Sequence, residues 1–203
     1  NGHRQQNHGT VEVSAPILLP VPIMSSEPKT INVKMTIQID EKTAGDVVLE
    51  VHPEWAPIGA ERFIALVKDN FFTDCRFHRV ISGFMCQFGI AGDPKHYASW
   101  AKQKLKDDPV KVSNLRGYMS FATSGPNARS TQLFINFVDN KGLDPQGFAP
   151  LAKVKEGMDV IDKIYAGYTG DNKPNQMNVK QFGNAYLKNF PKLSYIVSAK
   201  VVE

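Results

Sequence analysis

Short runs of alternating apolar and polar residues, separated by turn residues, are the feature that most constrains the fold of this chain. The clearest run is residues 31–39, INVKMTIQI, in which every second residue is apolar. Because successive side chains of a strand point to opposite faces, this pattern predicts a strand with one buried face. Asp40 to Gly45 then turns the chain, and DVVLEVH forms a second strand. The sequence therefore predicts a hairpin at the start of the fold.

Further strands are predicted over FHRVISGFMCQFG (two strands), GYMSFAT, QLFINFV, FAPLAKV and SYIVSAKVV. Only two helices are expected, one beginning at Pro57 and one near EGMDVIDKIYAGY. Residues 92–116 are charged and bounded by Gly and Pro, which is typical of a long surface loop, with one helical turn around Trp100. Many short strands with few helices predict a mainly β fold, an antiparallel barrel with helices covering its ends.

Composition limits what such a chain can do. With 203 residues, 42% hydrophobic, the chain is expected to form one domain over residues 30–203, preceded by a Pro-rich arm over residues 1–29. The net charge of +4 comes without any run of Lys or Arg, so a nucleic-acid partner is not expected. Three prolines interrupt the apolar residues 15–24, so no membrane span is expected either.

The cysteines and histidines give no sign of redox or metal chemistry. Cys75 and Cys86 are too far apart for a C-x-x-C motif, and they are expected to be free, partly buried thiols. The five histidines lack the spacing of metal ligands, so no metal and no cofactor are predicted.

The stretch FHRVISGFMCQFG places a guanidinium among large apolar residues. Read as a strand, Phe77, Arg79 and Ile81 share one face. After the Ser82-Gly83 break, Phe84, Cys86 and Phe88 share one face, while Met85, Gln87 and Gly89 share the other. A lone strand arginine usually lies at a solvated edge or in an ion pair. The neighbouring His78 is expected to have a structural role.

These residues resemble the cyclophilin family of peptidyl-prolyl cis-trans isomerases. FHRVISGFMCQ (77–87) is similar to one signature of the family, and FATSGPNARSTQLFIN (121–136) is similar to another. APIGAERFIALVKDNFF and VKEGMDVIDKI extend the resemblance over about residues 33–166. The resemblance is to a divergent, bacterial-like branch.

The resemblance implies a closed eight-stranded antiparallel barrel with two helices, and an isomerase that acts on X-Pro bonds in peptides and unfolded protein clients. It assigns catalysis to Arg79, Phe84 and Gln87. It assigns substrate binding to a larger set, namely Met85, Ala122, Thr123, Gln132, Phe134, Leu143 and Phe148. The alternative is a peptide-binding or scaffolding subunit with little turnover. In either case, Arg79 would lie among apolar groups because its partner is a bound peptide that does not belong to this chain.

Five positions depart from the family pattern. Ser82 stands where proline is common, Phe88 where a small residue is common, and Thr123 where asparagine is common. Gly142 replaces a tryptophan used by many members to bind cyclosporin, and Phe148 replaces a groove histidine. Weak cyclosporin binding is therefore expected. The protein is expected to be a monomer, with the cytoplasm slightly favoured over an organelle or secretory lumen reached after N-terminal processing.

Overall fold

The structure is a computed structural model that describes Gly2 and residues 29–203. The predicted arm therefore lies outside the described residues, apart from Gly2 and Lys29. The described residues form nine strands: β1 (Ile31–Gln38), β2 (Ala44–Val51), β3 (Cys75–Arg76), β4 (Arg79–Ile81), β5 (Met85–Phe88), β6 (Tyr118–Phe121), β7 (Leu133–Asn136), β8 (Pro150–Glu156) and β9 (Tyr195–Val202). They also form five helices: α1 (Pro57–Lys68), α2 (Pro94–Ala101), α3 (Met158–Ile161), α4 (Gln176–Phe182) and α5 (Asn184–Leu187).

One antiparallel sheet contains all nine strands in the order β3-β9-β1-β2-β8-β6-β7-β5-β4. The first and last strands of this order, β3 and β4, are consecutive in the chain and are separated only by Phe77 and His78. The sheet therefore curls until its two ends meet at these residues. The predicted mainly β, barrel-like fold is confirmed, with nine strands in place of eight.

The opening hairpin forms as predicted, and β1 has the predicted buried face. Met35 pairs with Val47 and Val33 with Leu49, and all four side chains are fully buried. The helix predicted from Pro57 is α1, which packs Phe63 onto this core. No helix of the described residues has both the length and the apolar character needed to cross a membrane.

Phe77 does not share a face with Arg79, contrary to the sequence-based expectation. Its side chain is fully buried and packs against Phe88, with ring centroids 5.3 Å apart, whereas Arg79 and Ile81 are exposed. The alternation fails because Phe77 lies between β3 and β4 and belongs to neither strand.

The described residues form five α-helices, whereas the sequence predicts two. The second predicted helix is only the four-residue α3, while α2 extends over eight residues where a single turn around Trp100 was expected. The loop over residues 92–116 is also more buried than expected, since Leu105, Asp108 and Asn114 are buried. Helices α4 and α5 occupy the segment before β9, where no element was predicted.

Candidate functional site

Three of the residues predicted to line the groove lie on the outer face of β4, β5 and β7. Arg79 pairs with Gln87 across β4 and β5, and Gln87 pairs with Phe134 across β5 and β7. Residues that face each other in register point to the same side of a sheet, so these three side chains form one row. The adjacent row belongs to the opposite face and contains the buried Val80, Cys86, Ile135 and Met119.

A chain of hydrogen bonds orients the polar groups of the groove. Nη1 of Arg79 donates to Oε1 of Gln87 at 3.1 Å. Nε2 of Gln87 donates to Oε1 of Gln132 at 2.9 Å. Each amide therefore has a fixed orientation, because its oxygen accepts from the preceding side chain.

The Arg79 guanidinium has unused donors. Partial burial against the sheet lowers the pKa of Arg79 from its ordinary value, yet a guanidinium remains charged in proteins. No Asp or Glu of the described residues forms an ion pair with it, and its described hydrogen bond uses one of five N–H groups. The cation is thus available to a ligand in the groove.

Apolar side chains form the floor beside this polar chain. Met85 and Phe134 are 2% and 4% exposed, and both lie outside the main hydrophobic core. The Phe148 ring meets Phe134 edge to face, with centroids 5.6 Å apart. The loop that carries Phe148 therefore contributes to the same surface as β7.

The turn between β4 and β5 positions Phe84. The Phe84 amide donates to the carbonyl of Ile81 at 3.0 Å, and Gly83 has a φ of +70°, which a residue with a Cβ rarely adopts. The Phe84 carbonyl accepts from the amide of Phe137 and from Nδ2 of Asn140, both at 2.9 Å. These bonds fix the turn against the segment that leads to Phe148.

The remaining predicted residues lie along the rim. The Ala122 amide donates to the Gln132 carbonyl at 2.9 Å, and the half-buried Thr123 follows it at the end of β6. Leu143 is half-buried in a 3-10 turn, Lys141–Gln146, and its carbonyl accepts from the Phe148 amide. Strand register and side-chain contacts thus bring together six predicted residues, namely Arg79, Met85, Gln87, Gln132, Phe134 and Phe148. Phe84, Ala122 and Leu143 are held nearby only through backbone hydrogen bonds.

Asn114 supports this face and was missed by sequence reasoning. It is fully buried, and its Nδ2 donates at 2.8 Å both to the Phe148 carbonyl and to Oδ1 of Asp144. Its Oδ1 accepts from Ser120 Oγ at 2.8 Å. Asn114 belongs to the charged stretch that was interpreted as a surface loop, and an isolated asparagine there gives no periodic signal.

His78 has no catalytic proton to offer near neutral pH. Its ring is 1% exposed, and neither ring nitrogen has a hydrogen-bond partner among the described residues. Burial lowers the pKa of His78 to about 4. The imidazole is therefore neutral at the end of the sheet.

The two thiols are free, as predicted, but they are fully rather than partly buried. Burial raises the pKa of Cys75 and of Cys86 to about 12. Cys86 lies on the core face, opposite to Met85 and Gln87. Neither sulfur can act as a thiolate nucleophile in the groove.

Comparison with known proteins agrees with this geometry. Residues 34–184 match the family described as cyclophilin type peptidyl-prolyl cis-trans isomerase/CLD. A peptidyl-prolyl cis-trans isomerase of Acinetobacter baylyi is 37% identical over 131 residues, which are 59% of this chain and 66% of the relative. Peptidyl-prolyl cis-trans isomerase B of Escherichia coli is 34% identical, over 62% of this chain and 82% of its own length. The human peptidyl-prolyl cis-trans isomerase-like 3 is 35% identical, over 59% of this chain and 76% of its own length.

Proposed function

Because the chain belongs to the cyclophilin-type family, it is a peptidyl-prolyl cis-trans isomerase, and we propose that the groove beside Arg79 is where the reaction occurs. The observation that carries this assignment is the hydrogen-bonded chain from Arg79 through Gln87 to Gln132. It presents a cation next to the apolar surface of Met85 and Phe134. A substrate proline ring fits the apolar surface, while its amide faces the cation.

The reaction requires rotation about a bond with partial double-bond character. The two isomers of an X-Pro bond differ by only ~0.5–1 kcal/mol, but the barrier between them is ~18–20 kcal/mol. As the amide twists, its nitrogen becomes pyramidal and gains a lone pair. Arg79 donates a hydrogen bond to that lone pair, an interaction absent from the planar amide, and therefore lowers the barrier.

Arg79 does not act alone in this account. A thousandfold acceleration requires ~4 kcal/mol, whereas a hydrogen bond to a charged group contributes ~1.5–3 kcal/mol. Phe84, Met85, Phe134 and Leu143 supply the remainder by removing water from the amide and holding the ring. Gln87 and Gln132 keep the guanidinium in place and bind the peptide backbone.

The substrates are proline-containing peptides, and the clients are unfolded polypeptides that expose such bonds. The chemistry uses no cofactor. We further assign residues 30–203 to the isomerase domain, because the sheet begins at β1 and is completed by β9. The arm over residues 1–29 stays a prediction from the sequence, and we propose that the domain acts as a monomer.

Weak binding of cyclosporin is part of the same proposal. Gly142 is exposed in the 3-10 turn beside the groove and offers neither an indole N–H nor an aromatic face. Phe148 compensates only in part, since its ring already packs on Phe134.

A protease-coupled assay on a short Ala-Pro peptide tests the function directly. The protein is expected to accelerate isomerisation catalytically, with turnover at substoichiometric concentration. Stoichiometric binding without turnover would instead support the scaffolding role.

A further inference from the structure

Helix α4 carries the two most exposed large apolar side chains of the described residues. Met177 is 69% exposed and Phe182 is 49% exposed. Lys180 lies between them in the sequence and has no ion-pair partner among the described residues. Lys180 is half-buried, and two exposed apolar side chains beside a cation that has no ion-pair partner are typical of a binding surface.

The position of α4 is well defined. Gly183, which ends the helix, packs so closely on the Gly92 backbone that a Cβ would lie 2.0 Å from the Gly92 carbonyl oxygen. The Asn184 amide donates to that same carbonyl at 2.9 Å, and its side chain donates to Asp74 at 2.8 Å. Val179 is the buried residue of α4. These contacts join α4 to the segment that leaves β5.

This places α4 beside the end of the groove that contains Arg79. Gly92 and Asp74, which Asn184 contacts at the end of α4, are each five residues along the chain from Gln87 and Arg79. Arg79 and Gln87 pair with each other across β4 and β5. Helix α4, on which α2 packs, therefore lies near the end of this strand pair that carries Arg79 and Gln87.

Lysine is the only charged residue type in the segment that contains α4 and β9. Residues 172–202 contain five lysines and no Asp or Glu. The nearby carboxylates already have partners, because Asp74 pairs with Arg76 and Asp93 caps α2. Arg79 and Lys180 thus present two positive charges, and a negatively charged group on a bound chain would complement both.

We propose that Met177, Lys180 and Phe182 form a second binding site for the client polypeptide, which selects prolines flanked by an acidic residue and an apolar residue. The proposal rests on the proposed function, because the proline of the same chain occupies the groove. An acidic side chain meets Lys180, and an apolar side chain packs on Phe182 or Met177. The site acts on binding and leaves the bond rotation unchanged.

The test uses peptides with a central Ala-Pro bond and a single Glu, Gln or Lys placed successively on either side of it. We expect kcat/KM to follow the order Glu, Gln, Lys at one position, with a total range of roughly 3- to 30-fold that shrinks at high salt. Lys180→Glu should reverse the order at that position and leave a short uncharged peptide unaffected. Lys188→Glu, the same charge change directly after α5, should preserve the order.

Three results would count against the inference, and one of them would also overturn the proposed function. Equal kcat/KM for the three peptides at every position, with normal turnover, would remove the second site alone. The same conclusion follows if Lys188→Glu alters the order as strongly as Lys180→Glu. Absence of turnover on every peptide would instead overturn the proposed function on which the inference rests.

Discussion

Oδ2 of Asp108 lies 3.0 Å from Nη1 of Arg129, and the two side chains are 1% and 3% exposed. The Asp108 carboxylate also accepts from the amides of Ile58 and Gly59 at 3.0 and 2.9 Å. It thus caps the first turn of α1 while it neutralises the buried cation. This pair connects the long loop after α2 to the segment that leads into β7.

Replacing one partner of this pair should destabilise the fold strongly. Asp108→Ala removes the fully buried carboxylate beside Arg129, leaves only the partly exposed Asp107 at 3.2 Å from its Nε, and removes the cap of α1. The free energy of unfolding should fall by about 3 kcal/mol or more, measured by urea titration. A double variant with Arg129→Met should lose less than the sum of the two single losses. Strict additivity would show that the two groups do not stabilise each other.

Neither thiol should be reactive or catalytic. Because burial raises the pKa of Cys75 and Cys86 to about 12, alkylation in the native state should be at least about a hundredfold slower than after unfolding. The double variant Cys75→Ser, Cys86→Ala should keep kcat/KM within a few-fold of the parent. Complete loss of activity in a folded double variant would contradict the proposed mechanism.

His78 should make stability depend on pH in the mildly acidic range. Its pKa is about 4 in the folded protein against an ordinary value of 6.5, so the unfolded chain binds the proton more tightly. Stability from the neutral ring is complete above about pH 6.5 and is lost as the pH falls toward 4, by up to about 3 kcal/mol.

His78→Phe provides the matched control, because neither ring nitrogen has a hydrogen-bond partner to lose among the described residues. The difference in unfolding free energy between parent and variant should be constant above pH 6.5. Below pH 6.5 the parent should lose stability relative to the variant. A difference that is independent of pH would mean that the imidazole becomes charged without unfolding.

Gly142→Trp should increase the affinity for cyclosporin by about 10- to 1,000-fold. The added indole supplies a hydrogen bond of ~0.5–1.5 kcal/mol and apolar contact of ~1–3 kcal/mol. A Cβ at this position meets no atom within 4 Å, so the change should not disturb the turn. Titration of the inhibitor against peptide turnover measures the effect. Nanomolar inhibition of the parent would show that the indole is dispensable here.

The strands of the site could be predicted because alternation is a local signal. Met85 and Gln87 face the groove while Cys86 faces the core, as the pattern indicated. Phe77 departs from the alternation because it lies between β3 and β4, and the sequence alone does not show where one strand ends and the next begins. The mainly β class, the first hairpin, α1 and β9 follow from the same kind of signal.

The parts that failed depend on contacts distant in sequence. Asp108 and Asn114 have no local pattern that distinguishes them from exposed loop residues. Their burial depends on their contacts with Arg129 and Phe148, which are distant in sequence. Helix α4 has only one buried side chain, Val179, so it lacks the apolar stripe that would predict it. Its place beside the groove is set by Gly92 and Asn184, which no local pattern connects.

The most direct test of the account is kcat/KM of Arg79→Ala on an Ala-Pro peptide, with Lys200→Ala as an exposed cation distant in sequence from the groove. Arg79 is exposed and contacts Gln87 rather than the core, so the variant should fold with nearly unchanged thermal stability. Its kcat/KM should fall at least tenfold, about 1.4 kcal/mol of transition-state stabilisation, while Lys200→Ala retains the parental value. A folded Arg79→Ala protein that isomerises the peptide as fast as the parent would contradict the assignment of the groove.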